Sequence, residues 1–158
     1  DAFKLVLEQD AAFTMYLFGH AADSLYTDSL FERIEAEPFS KSVFYHGTHL
    51  KMSAILPHFD IGVLSSDSEG LPLALLEYGQ AGLSVVATDV GQCKAVLGDY
   101  GRLVPAKNHV ALAQAIMALG YEKTDIQESA KKLKDRILLE HGEQAVIQEV
   151  ISKYAEII

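Results

Sequence analysis

What most restricts the fold of this chain is an alternation of two hydrophobic periods. Over the first two thirds, short β-rich runs ending in Gly, Ser or Asp alternate with amphipathic segments of helix length. Strands are predicted at about 13–19, 42–47, 60–65, 84–89 and 101–105, with helices at about 24–36, 50–57, 72–81, 92–97 and 108–118. A helical pattern with Phe3, Val6 and Leu7 on one face opens the chain. Two helices at about 125–138 and 143–157 close it, the second with Val146, Val150, Tyr154 and Ile157 on one stripe. Strand, helix, strand in repetition demands parallel pairing through crossovers, and near-continuous apolar strands suit a sheet covered on both faces. The expected fold is α/β, a doubly wound parallel sheet. Ligands bind such sheets beyond the carboxyl ends of the strands, so chemistry is expected in the loops after Phe18, Tyr45, Leu64 and Ala87.

Composition narrows the ligand. The 158 residues carry 13 Lys plus Arg against 22 Asp plus Glu, a formal charge of -9, with 49% apolar residues. A chain of this length buries about 70% of its unfolded surface and needs no metal or disulfide to hold a core; it reads as one domain without a dividing linker. Its one cysteine, Cys93, excludes an intrachain bridge. The acidic balance argues against nucleic-acid and anionic-membrane partners, which both call for a basic footprint. Any phosphate must therefore be met locally. No apolar run approaches the roughly 20 residues that span a bilayer, so the expected compartment is the cytoplasm, or the cytoplasmic membrane face for a longer parent protein. The start at Asp1, already in a helical pattern, leads us to expect a piece of something longer.

Residues 65–82, SSDSEGLPLALLEYGQAG, are the most informative stretch and follow a strand directly. Pro72 suits the first turn of a helix, where its missing N–H costs nothing. Leu71 before it has no side-chain oxygen to act as a cap. The N–H groups of Gly70, Leu71 and Leu73 are then left for an outside acceptor, and phosphate at a helix N-terminus is the common solution. Alternatively Ser66, Asp67 or Ser68 caps the helix one turn earlier. Glu77 lies in a helix that is apolar nearly all round, so its carboxylate is expected to be buried and to require a polar partner. That partner is either a ligand or a structural backbone or Arg group. Glu69, in the preceding loop, can line the same cleft.

Ser-x-x-Glu-Gly-x-Pro, a Leu-Glu helix, Gly82, the strand Val85-Val86-Ala87-Thr88, Asp89-Val90-Gly91 and Gly101-Arg102-Leu103-Val104-Pro105 occur in register. Together they resemble the carboxy-terminal, nucleotide-sugar-binding lobe of a group 1 (family 4) retaining glycosyltransferase of the two-lobed GT-B type. The likeness covers about residues 11–118, and Glu69-x7-Glu77 is similar to that family's paired-glutamate motif. It implies a Rossmann-like single lobe, truncated at its first strand, within a longer two-lobed protein, with residues 1–158 forming the donor-binding domain. It also implies that Glu69, as the catalytic residue, hydrogen-bonds the donor hexose, and that Glu77 binds the ribose hydroxyls. Amides around Gly70, Leu71 and Leu73, beside Pro72 and Ser66, would hold the diphosphate. The backbone at His46 and Gly47 would meet the base edge, and Gly19 would close its strand beside the donor. An array of fixed amides stabilises a departing diphosphate without a cationic patch, so neither a metal nor a cofactor is expected. The implied partners are a nucleotide-sugar donor and a sugar or lipid-linked acceptor held by an absent amino-terminal lobe. The chain alone is accordingly expected to transfer no sugar.

Three departures from the family pattern stand out. Gln92-Cys93-Lys94-Ala95 replaces a second glycine and a nearby glutamate, Tyr78 and Gln80 are bulkier than the family prefers after Glu77, and the acceptor lobe and the first strand of this lobe, with its Arg and Lys, are missing. A non-catalytic nucleotide-sugar binding module and a nucleotide-sugar epimerase lobe are the alternatives. Elsewhere the signals are weak. His46, His49 and His58 lack metal-ligand spacing, Cys93 has no fixed basic partner, no Ser in 65–68 has the Gly-x-Ser-x-Gly register, and 122–136 reads as a solvated helical face.

Overall fold

The computed structural model describes residues 1–156, without the side chains of 123–126. Two compact units divide at 52/53, Asp1–Met52 and Ser53–Ile158, where the sequence reads as one.

The first unit contains α1 (Ala2–Gln9), β1 (Met15–Leu17), α2 (Leu25–Glu35) and β2 (Val43–Tyr45). α1 buries Ala2, Val6 and Leu7. The Ser24 hydroxyl starts α2 by accepting the Thr27 N–H at 3.2 Å, satisfying one of the orphan donors of the first turn. β1 and β2 pair in parallel with Met15 opposite Val43, Tyr16 opposite Phe44 and Leu17 opposite Tyr45.

The second unit runs α3 (Met52–Ile55, whose first residue still belongs to the first unit), a 3-10 turn (Leu56–His58), β3 (Ile61–Leu64), α4 (Leu73–Ala81), β4 (Ser84–Thr88), α5 (Cys93–Leu97), β5 (Arg102–Val104), α6 (His109–Tyr121), α7 (Lys123–His141) and α8 (Glu143–Ala155). The helix expected at 50–57 is thus a single turn followed by a 3-10 turn, because Pro57 withholds the N–H a continued α-helix would use. β3, β4 and β5 form a parallel sheet in chain order. All five residues of β4 are buried, as a strand covered on both faces requires. On one face Val85 and Ala87 join Leu75, Cys93, Val96, Leu97, Leu133 and Ile137 in the core. Val86, facing the other way by alternation, is also buried, and α6 packs along the same three strands. The parallel α/β class is as expected, but the described strands form two sheets, β1–β2 and β3–β4–β5.

Two glycines set how closely α4 approaches its neighbours. A Cβ on Gly62 would lie 2.5 Å from the Tyr78 ring, and one on Gly79 would lie 3.2 Å from Leu133 Cγ and closer still to Ile137. The bulk of Tyr78 is thereby taken up by the bare backbone of β3. Among the described side chains of 122–136 the charged face is solvated as expected, and an opposite face is buried. Glu128 and Lys132 pair on its outer side at 2.7 Å, whereas Ala130, Leu133 and Ile137 are buried, and Arg136 donates to the Ala95 and Val96 carbonyls at the end of α5. Conversely, α8 has no buried residue, so Val146, Val150 and Tyr154 are exposed. Ile157 lies outside the described residues.

Candidate functional site

The loop from Ser65 to Pro72 leaves the carboxyl end of β3 and is fastened at several points within its own unit. Thr88 Oγ1, at the end of β4, donates to the Ser66 carbonyl at 2.6 Å, and the Gln92 N–H donates to the Gly70 carbonyl at 3.2 Å. Gly91 has φ +51, and a Cβ there would overlap the Glu69 carbonyl oxygen and lie 2.7 Å from its carbon. Only glycine permits this approach. The unusual segment after Gly91 therefore supports the loop through its backbone, whatever its side chains.

One detail of the helix start differs from expectation, and the choice between a capped and an uncapped start is decided. Pro72 (φ -78, ψ 91) is the residue before α4 rather than its first helical residue, and no side chain caps the helix. Ser66 Oγ instead donates to Glu69 Oε1 at 2.6 Å, and Asp67 pairs with Lys107 at 3.4 Å, so both are engaged away from the helix end. Among the described residues no acceptor meets the N–H groups of Gly70, Leu71 or Leu73. Leu71 and Leu73 are 45% and 66% exposed, leaving this end of the helix open to a ligand.

Glu77 is exposed, not buried. α4 turns Leu75 and Gly79 toward the core and leaves Leu73, Glu77 and Gln80 on the opposite stripe, since residues three and four apart share a face. Among the described residues its carboxylate makes no ion pair or hydrogen bond, so the structural-partner alternative has nothing to rest on. Its charge is still felt next door: burial pushes the Tyr78 hydroxyl up, and Glu77 adds to that shift. Glu69 is half-buried and oriented by Ser66. Cys93 is fully buried, and burial first, then the carboxylates of Glu69 and Asp89, push its thiol up. Both effects disfavour a thiolate.

In the first unit Gly19, His46 and Gly47 come together at the ends of β1 and β2. The His46 N–H donates to the Leu17 carbonyl and the Gly19 N–H to the Gly47 carbonyl, each at 2.9 Å. The Tyr45 hydroxyl donates to the Gly19 carbonyl at 2.8 Å. Gly19 (φ +144) and Gly47 (φ +68) both take conformations that favour glycine. Sequence reading missed the ring cluster beside them, where Tyr16 stacks on Phe44 (5.2 Å) and His46 (5.7 Å), and Phe18 on His46 (5.4 Å). Aromatic alternation in both strands was the available signal, but it has meaning only once the register is known. The Lys107–Asp67 pair had no local signal at all. Among the described residues no three His, Cys, Asp or Glu side chains converge, and no helix is long and apolar enough to cross a membrane.

The site thus combines an open helix start with a strand-end loop that holds an oriented glutamate, on a parallel α/β sheet. Residues 1–121 match the family "Glycosyl transferases group 1", and the chain belongs to that family. It is 27% identical over 161 residues to "Putative colanic acid biosynthesis glycosyltransferase WcaL" of Escherichia coli (strain K12), covering 96% of this chain and 39% of that protein. Among solved structures it is similar to Anabaena HepE in complex with UDP, with TM-score 0.90, 17% identity, and coverage of 98% of this chain and 44% of the other. It also resembles the C-terminal domain of the group 1 protein LpcC from Francisella tularensis, with TM-score 0.80, 21% identity, and coverage of 90% and 76%. The fold is that of a Rossmann-like lobe of GT-B glycosyltransferases, and the chain spans about two fifths of the curated relative.

Proposed function

We propose that this chain is the donor-binding lobe of a retaining glycosyltransferase that moves a hexosyl group from a nucleoside-diphosphate sugar to an acceptor held elsewhere in a longer protein. The observation that carries the reading is the start of α4, uncapped, exposed, and following a loop pinned by Thr88, Gly91 and Gln92. Family membership supports it, as does HepE, solved in complex with UDP-glucose. In this reading the amides of Gly70, Leu71 and Leu73 stabilise charge on the departing diphosphate, where fixed donors count most because they need no reorganisation. Glu69, held by Ser66, orients the hexose, and Glu77 accepts from the ribose hydroxyls. The roles of His46 and Gly47 at the base edge, and of Gly19, rest on the family resemblance. No side-chain nucleophile is assigned, and one lobe alone positions no acceptor, so the isolated chain is expected to bind donor without transferring sugar.

Calorimetric titration with UDP tests this on the parent and on Glu77→Gln. Losing charge-assisted acceptance should weaken binding by about 1.5–3 kcal/mol. Because Glu77 is exposed and unpaired among the described residues, stability should change by no more than about 0.5 kcal/mol. A parent without affinity for UDP, or a variant with undiminished affinity, would count against the assignment.

A further inference from the structure

Lys107 is the one non-glycine residue with positive φ among the described residues, at +60. A side chain is strained in that region, and glycine or asparagine normally occupies it. Nothing in the turn's backbone calls for lysine: the next residue, Asn108, caps α6 by accepting the Ala111 N–H at 2.9 Å and needs only the turn. The lysine side chain does have a destination. Its Nζ lies 3.4 Å from Asp67 Oδ2, the only ion pair made by the 65–72 loop among the described residues. That loop carries two carboxylates, Asp67 and Glu69, in a chain of net charge -9, yet under the proposed function it must accept a diphosphate.

We propose that Lys107 is a positioning residue for the anionic part of the donor, acting by neutralising Asp67 so that the loop does not repel the diphosphate. Like charges close together raise each other's cost, and an ion pair removes one of them. Lys107 and Asp67 are both exposed, so the effect is modest and screened by salt. This inference rests on the donor-lobe reading.

UDP titrations at low and raised ionic strength test it. At low salt Lys107→Gln should weaken UDP binding about three- to fivefold, with the difference shrinking as salt is added. Lys107→Arg should restore the parent value. Lys107→Gly, better suited to φ +60, should weaken binding as the glutamine does while raising the melting temperature, an opposition that a merely structural role would not produce. Adding Asp67→Asn to Lys107→Gln should return affinity to near the parent, since no carboxylate is left to neutralise. A double variant as weak as the single one overturns neutralisation as the mechanism. Unchanged UDP affinity in both Lys107→Gln and Lys107→Gly overturns the inference and leaves the donor reading standing, whereas a parent that binds no UDP removes both.

Discussion

Replacing Gly91 by Ala tests whether the loop before α4 is held in place by backbone contact. The substitution introduces two costs that can be separated. The first is conformational: φ +51 lies in the left-handed region, where a Cβ costs about 1–2 kcal/mol. The second is steric, because the new Cβ would overlap the Glu69 carbonyl oxygen, and this neighbour is backbone in a loop already tied down by Thr88 and Gln92. Overpacking against an unyielding neighbour adds about 1–3 kcal/mol. Gly82 supplies the control: it ends α4 at φ +80 with nothing within 4 Å of a built Cβ, so Gly82→Ala should carry the conformational cost alone. Urea unfolding of both variants should therefore show Gly91→Ala less stable than Gly82→Ala by about 1–3 kcal/mol. In melting temperature that is roughly 2–12 °C for a chain of this size. If the loop yields instead, the Gln92–Gly70 hydrogen bond is lost and Glu69 shifts, so UDP affinity falls as well. Equal losses of stability in the two variants, with UDP binding intact in both, would refute the reasoning.

Two further outcomes are expected. Cys93 should resist iodoacetamide near neutral pH until denaturant is added, and its raised pKa fixes a sign: an unfolded thiol ionises from its ordinary value of 9.0, so this contribution is complete below that pH and is lost as pH rises through the folded value. Urea midpoints should then fall more steeply above about pH 9 in the parent than in Cys93→Ala, and parallel declines would contradict the assignment. UDP binding should be unaffected by EDTA because the phosphates are assigned to amides; a loss that magnesium restores would tell against that assignment.

Some of the site was legible because the rules that govern it are local. The absence of a capping oxygen at Leu71 and Pro72 is a property of adjacent residues, and the helix is indeed uncapped. Glu77 was misjudged for the opposite reason. Composition says its helix is apolar nearly all round, but which stripe is buried depends on where Leu75 and Gly79 dock, and that is set by Val85, Leu133 and Ile137 from other elements. In α7 the charged face is solvated as its charges suggest, but that Leu133 and Ile137 complete the core is likewise decided by packing between elements. Tyr78, bulky for its position, fits because Gly62 in β3 has no side chain.

The sequence by itself determined the alternation of strands and helices and the parallel α/β class, because backbone sterics and periodicity involve residues within a turn or a strand of one another. Tertiary structure alone decided that Glu77 faces outward, that Gly91 supports Glu69, that Lys107 reaches Asp67, and that the strands fall into two sheets. Those outcomes depend on distances between segments far apart in the chain, and neither burial nor charge pairing is defined until those segments have packed.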